Sequence, residues 1–285
     1  MPDAAVKTIG RYTLKIVYDE EAVNPREDYD NFGKMVCWHS HYNLGDKHEH
    51  DNPDDFLTAL VSESIPDKPL VASAKAGQLD GFKLVYNRST REWELSNYDD
   101  YFKAWFSAVT VPAPLEREIG YLAECIRDNL SSKGLMALAE SKHLILPLYL
   151  FDHSGLAISV YDFRDKWDSG QVGWTYASHV DIIKEFGDTS QENMEKAKHL
   201  LISEVKAYDY YLHGECYGFQ LFKDGKEQDS CWGFLGSFND ALASIREHLP
   251  EEAVPLADGA RYGDDDTEYS PAGESAADDD DREAN

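Results

Sequence analysis

Four histidines crowd one short stretch. His39-x-His41 and His48-x-His50 are flanked by Cys37, Asp46, Glu49 and Asp51. Two imidazoles spaced i, i+2 on a strand face the same side. Two such pairs offer four nitrogens, a donor set that suits zinc. The spacing matches no standard zinc signature, and His-rich polar loops are commonly just solvated. No cofactor is expected, with a divalent metal such as zinc as the alternative.

A second group is Asp152-His153-Ser154 with Asp162, Asp165 and Asp168. Neighbouring Asp, His and Ser cannot form a triad among themselves, since triad members converge from separate segments. No G-x-S-x-G elbow is present. Asp152-His153-Ser154-Gly155 reads as a turn in which Asp or Ser bonds the backbone. The three aspartates suit either a divalent cation or a solvated acidic loop.

The third group is Trp167, Asp168, Gly170, Gln171, Gly173 and Trp174, read as a loop. Glycine admits unusual backbone angles or close approach of a ligand, and tryptophan can anchor a protein interface. The plainer alternative buries both tryptophans against the preceding strands. These six are the interaction candidates. Cys216 and Cys231 fall in a hairpin, but a catalytic thiol needs a base and a lowered pKa, so inert buried thiols are expected. No phosphate-binding glycine loop, HExxH or CxxC occurs, and no residue is assigned a catalytic role.

The elements that position these groups centre on residues 144–161. Leu144 to Phe151 and Leu156 to Tyr161 are apolar runs joined by a Gly-containing turn, which predicts a central β-hairpin. Strands are also expected over Arg11–Tyr18 and around Met35–Trp38. Hairpins are predicted for Phe82–Tyr86 with Trp93–Leu95, and for Cys216–Phe222 with Ser230–Leu235. Asn52-Pro53-Asp54-Asp55 opens a helix that Pro66 and Pro69 should end. Val71–Gly81 shows no strong period. Tyr101, Phe102, Trp105, Phe106 and Val109 share a face at helical spacing, which predicts a helix over Asp99–Val109. Further helices are predicted over Leu115–Leu130, Leu135–Ala139, His179–Phe186, Ser190–His213 and Phe238–Leu249. Strands and helices mix without β-α alternation. The expected class is α+β with a mainly antiparallel sheet. One domain is expected over 1–250, with any subdivision near 110–142.

The 285 residues carry a formal charge of −27. Glu251–Asn285 holds 13 acidic and 2 basic residues, which leaves −16 on the first 250. This last stretch is too poor in apolar residues to offset chain entropy and is expected to be a disordered acidic tail over 251–285. An acidic body repels phosphate backbones, so direct nucleic-acid binding is not expected, whereas a basic protein is a natural partner. The start lacks an apolar leader, and no apolar run is long enough to span a bilayer, so a cytoplasmic location without membrane contact is expected. The four cysteines are widely spaced, as suits reduced thiols. A homo-oligomer is compatible with the composition.

Several blocks resemble a family of uncharacterised proteins of bacteriophages, plasmids and integrative elements. They are Asn24-Pro25-Arg26-Glu27, Asp30-Asn31-Phe32-Gly33-Lys34-Met35-Val36-Cys37-Trp38-His39, Tyr42-Asn43-Leu44-Gly45-Asp46, Tyr149-Leu150-Phe151-Asp152-His153-Ser154-Gly155, Trp167-Asp168-Ser169-Gly170-Gln171-Val172-Gly173, Tyr217-Gly218-Phe219 and Asp229-Ser230-Cys231-Trp232-Gly233-Phe234. They span residues 11 to 236 roughly. The resemblance implies an accessory protein of a mobile element in a bacterial host cell and carries over no functional residue. The resulting expectation is a non-enzymatic acidic protein that binds a basic host protein, as an inhibitor or decoy of a DNA-handling defence. The alternative is a metal-dependent hydrolase or nuclease using His39, His41, His48 and His50.

Overall fold

A computed structural model describes residues 3–153 and 155–265. In chain order the first elements are β1 (Ala5–Ile9), β2 (Tyr12–Tyr18), α1 (Pro25–Asp28), β3 (Lys34–Cys37), α2 (Pro53–Ser64) and α3 (Asp67–Ala76). Next come β4 (Phe82–Asn87), β5 (Glu92–Asp99), β6 (Ala104–Pro112), α4 (Ile119–Asn129) and α5 (Ser132–Glu140). They are followed by β7 (His143–Asp152), β8 (Leu156–Ser159), β9 (Ser169–Ser178), α6 (His179–Phe186) and α7 (Gln191–Leu212). The described chain closes with β10 (Cys216–Lys223), β11 (Lys226–Leu235), α8 (Phe238–His248) and α9 (Val254–Gly259). All strand pairings between these elements are antiparallel. The class is α+β, as the sequence predicts.

Where the sequence suggests one domain, the chain forms two compact units: Met1–Pro25 with Tyr210–Asn285, and Arg26–Asp209. The division does not fall near 110–142. The first unit is built from both chain ends. Its sheet runs β1-β2-β10-β11, and β2 meets β10 in the register Gly218↔Val17, Phe219↔Ile16. Leu14, Ile16, Phe219 and Leu221 are buried from this sheet, against Ala241 and Ile245 of α8. The acidic stretch also contributes. Ala253, Leu256, Ala257 and Ala260 are buried in the same core, and Val6 bridges Asp265. The expected disordered tail therefore begins too early at 251. Its apolar residues at i, i+3, i+4 and i+7 spacing form one packing face, which the acidic average conceals. Residues 266–285 lie outside the described residues.

The second unit holds two sheets, β3-β9-β7-β8 and β4-β5-β6. Its main core joins Phe56, Leu57, Leu60 and Val61 of α2 to Leu70 and Val71 of α3, Leu95 and Val111 of the three-stranded sheet, and Leu122 and Ile126 of α4. Asn52 caps α2 by accepting from the Asp55 amide at 2.9 Å, as its sequence predicts.

Pro66 and Pro69 do not simply end α2, and 71–81 is not aperiodic. Pro66 is the N-cap of α3 and Pro69 sits in its first turn, where a missing amide hydrogen costs nothing. Gly77, at φ 68°, ends it. The helix expected over Asp99–Val109 is absent too. Asp99 accepts from the amides of Tyr101 (2.9 Å) and Phe102 (2.8 Å), and Lys103 takes φ 52°. This turn folds Ala104–Pro112 back on β5 as β6. Aromatic and β-branched residues fit the pleated surface, and pairing overrides the helical spacing.

Candidate functional site

The cleft that gathers five of the predicted site residues, His39, Trp167, Asp168, Gly170 and Gln171, lies on the β3-β9-β7-β8 sheet. β7 and β8 form the expected hairpin, with Leu150 opposite Ile158 and Asp152 opposite Leu156. The segment expected to be a loop, Trp167–Trp174, is mostly strand. β9 begins at Ser169 and pairs with β7, Gly170 opposite Leu150 and Gln171 opposite Tyr149. The register then slips between Leu148 and Tyr149, so Val172 has no partner on β7. Instead its carbonyl accepts the Trp38 amide at 2.7 Å. The bulge brings Trp38, His39 and Ser40 beside Asp152 and Trp167–Val172, around a cleft of about 520 Å³.

The two tryptophans separate. Trp167 stands 93% exposed at the cleft. Trp174 packs at the core, its ring 5.9 Å from Phe56 and 5.8 Å from Trp38. The two glycines separate as well. A Cβ on Gly170 would meet nothing within 4 Å. One on Gly173 would lie 1.9 Å from the Val36 carbonyl oxygen, because β3 crosses at that point. Gly173 serves strand packing and not a ligand.

The rim is acidic and held by short bonds. Asp165 accepts from the amides of Trp167 (2.8 Å) and Asp168 (2.9 Å), which draws its pKa below the usual carboxylate value. The Asp168 carbonyl accepts the Asp152 amide at 2.8 Å. The Asp168 carboxylate meets His153 Nδ1 at 2.9 Å. Ser154 lies outside the described residues. Across the cleft His39 stacks on Tyr42, ring centroids 5.0 Å apart. The Tyr42 hydroxyl donates to Asp152 at 3.5 Å, and the Asp152 charge pushes the Tyr42 pKa up.

β3 ends at Cys37, so His39-x-His41 does not lie on a strand as expected. His39 and His41 form one ring pair, 5.7 Å apart, and His48 and His50 another, 5.8 Å apart. His48 Nε2 lies 2.9 Å from the Cys37 carbonyl, and its ring packs on Trp38. His50 sits 3.7 Å from Asp55. Among the described residues, no three or more His, Cys, Asp or Glu side chains cluster as metal ligands.

Cys216 and Cys231 lie on adjacent strands but not opposite each other: Cys216 faces Leu235 and Cys231 faces Phe219. Burial and Asp19 push the Cys216 pKa up to about 11, and burial pushes Cys37 up to about 12. These are directions that suppress nucleophilic attack.

Two features carry no clear signal in the sequence. The Arg26 guanidinium is nearly fully buried, bonded to Asp46 at 2.8 Å and to the Gly33 carbonyl at 2.8 Å. Glu204 accepts from the amides of Phe32 (2.6 Å) and Gly33 (3.0 Å) and lies 3.5 Å from Arg26. Burial keeps the Glu204 pKa raised despite these partners. The cluster ties β3 to α7 and is structural. The second feature is a hollow of about 810 Å³ in the first unit, lined by Asp3, Asp19, Glu20, Glu21, Val23 and Trp232 among others. Its carboxylates come from opposite ends of the chain's first 25 residues, which no local pattern joins.

Taken as chemistry, the β9 cleft offers an exposed indole beside the carboxylates of Asp152 and Asp168. An indole face and carboxylates together suit a lysine or arginine head. No family model, curated protein or solved structure matches this chain. No described helix is long and apolar enough to cross a membrane.

Proposed function

We propose that this protein acts by binding a basic protein, with the β9 cleft as the contact and Trp167 as its anchor. The observation that carries the reading is Trp167, 93% exposed beside Asp152 and Asp168. A large indole left in water on an acidic rim suits an interface, since buried tryptophans dominate binding energies. The formal charge of −27 supports steering toward a positive surface. With the resemblance to proteins of mobile elements, the concrete form is an accessory protein in a bacterial host, an inhibitor or decoy that occupies the basic surface of a DNA-handling defence protein.

The test is affinity capture from nuclease-treated bacterial lysate at low and high salt, beside a charge-matched acidic control. One basic protein in stoichiometric amount is expected, retained at low salt and lost at high salt. Trp167→Ala and the pair Asp152→Asn with Asp168→Asn should each weaken capture about tenfold or more. Capture indifferent to all three substitutions and to salt would remove this cleft from the reading. The competing reading, a metal-dependent hydrolase or nuclease on the four histidines, predicts stoichiometric transition metal in protein purified without a His tag, and its loss in His39→Ala with His41→Ala.

A further inference from the structure

Trp232 lies flat on a glycine. The register between β10 and β11 slips between Tyr217 and Phe219, so Trp232 and Gly233 together oppose Gly218. Such a bulge re-aims a side chain. A Cβ built on Gly218 would lie 2.2 Å from Trp232 Cε3, 2.6 Å from Cδ2 and 2.8 Å from Cζ3. The two neighbours of Cε3 are almost as close as Cε3 itself, which puts the point over the ring face and not at its rim. One face of the indole therefore covers the strand at a position where any side chain would displace it. The other face is left outward, and Trp232 is 49% exposed.

This indole walls the hollow of about 810 Å³ in the first unit. Ile16 and Phe219 pack toward α8, and Val17, Gly218 and Gln220 alternate to the other face of the sheet, where the hollow lies. Its volume falls within the roughly 300–1,000 Å³ of small-molecule pockets. Val17 and Val23 add apolar lining, and Asp3, Asp19, Glu20 and Glu21 add four carboxylates. Among the described residues one cation pairs with these, Lys15 at 4.0 Å from Asp3. Four carboxylates less one ammonium leave three negative charges. Among the described residues, no three of these acids converge as ligands of a metal ion, so the hollow suits separated charges better than a point charge.

We infer that this hollow binds a linear aliphatic polyamine, a triamine of the spermidine kind. Its ammonium groups are spaced by methylenes, as the carboxylates are spaced around the hollow, and each can donate to one of them. The methylenes cover Val17, Val23 and the indole, and an ammonium over the outward ring face gains a cation–π contact. The lie of the ring favours a small ligand over a protein. Trp167 projects into solvent at 93% exposure, as a protein anchor does, whereas Trp232 is half covered and flat against its strand. The site shares no residue with the β9 cleft.

Isothermal titration calorimetry of the full chain with spermidine at physiological salt tests this. The expected result is saturable one-to-one binding that excess magnesium does not displace. Trp232→Ala should raise the dissociation constant tenfold or more with an unchanged circular dichroism spectrum. Glu20→Gln with Glu21→Gln, in an exposed segment, should do the same. Glu116→Gln with Glu124→Gln removes equal charge from exposed positions of the second unit and should leave binding unchanged. Heat that does not saturate, displacement by magnesium, or equal weakening by the two glutamate pairs would reduce spermidine to a counterion of an acidic chain and overturn the inference. So would a basic protein captured through Trp232 by a chain that does not bind spermidine. Capture at the β9 cleft and spermidine binding can each fail without the other.

Discussion

Gly173 and Gly170 are three residues apart and do different things. β3 runs so close to Gly173 that an added Cβ would sit 1.9 Å from the Val36 carbonyl oxygen and 2.9 Å from Cys37 Cα. Backbone cannot yield as a side chain does. Gly173→Ala should therefore cost about 3 kcal/mol, near the top of the range for overpacking. Gly170→Ala meets open space and should stay within about 0.5 kcal/mol. Urea titration of both variants checks the contrast. His143 belongs at the same scale. It is buried, its Nδ1 lies 3.0 Å from the Ala139 carbonyl, and burial holds its pKa below the ordinary 6.5. His179 is lowered too, by burial and by the charges of His143 and Lys142. As pH falls through 6.5 the unfolded chain takes up protons that the folded one refuses, so stability drops on acidification and is recovered on raising pH. The loss continues down to the folded pKa values and then levels. His143→Gln should flatten the pH dependence of the denaturation midpoint between about pH 7 and about pH 5.

Among the elements, α9 shows how composition can mislead. Averaged over Glu251–Asn285 the chain reads as an acidic tail, yet Leu256 is 1% exposed and Ala253 wholly buried beneath it in the first unit's core. Leu256→Ala should cost about 2–4 kcal/mol and lower that unit's thermal midpoint by about 10 °C or more. A version ending at Pro250 should melt lower still, whereas one ending at Asp265 keeps every contact described here. Differential scanning calorimetry of the three distinguishes a packed helix from an idle extension. β6 teaches the converse lesson. Its aromatic spacing satisfies a helical wheel, but the Asp99 turn and the edge of β5 offer a hydrogen-bonding partner that periodicity does not register.

At the scale of the whole molecule, the chain ends assemble one unit and the middle another. Each has its own buried cluster, so residues 26–212, which retain α7 to its end, should fold alone. A cooperative thermal transition of that segment is the expected result; a spectrum without near-ultraviolet ellipticity would show that its core depends on the termini. What the sequence determined unaided is local. The α+β class, the β7–β8 hairpin, the Asn52 cap and the acidic charge all follow from neighbours a few residues apart, through turn chemistry, capping and side-chain period. Tertiary structure decided what depends on distant partners. β2 finds β10 about two hundred residues away, β3 presses on Gly173, and Trp167, in the Asp165 turn before β9, stands in solvent while Trp174 on β9 packs in the core. Long-range pairing is set by which edges and apolar faces remain to be covered once local elements exist, and one-dimensional patterns do not contain that information.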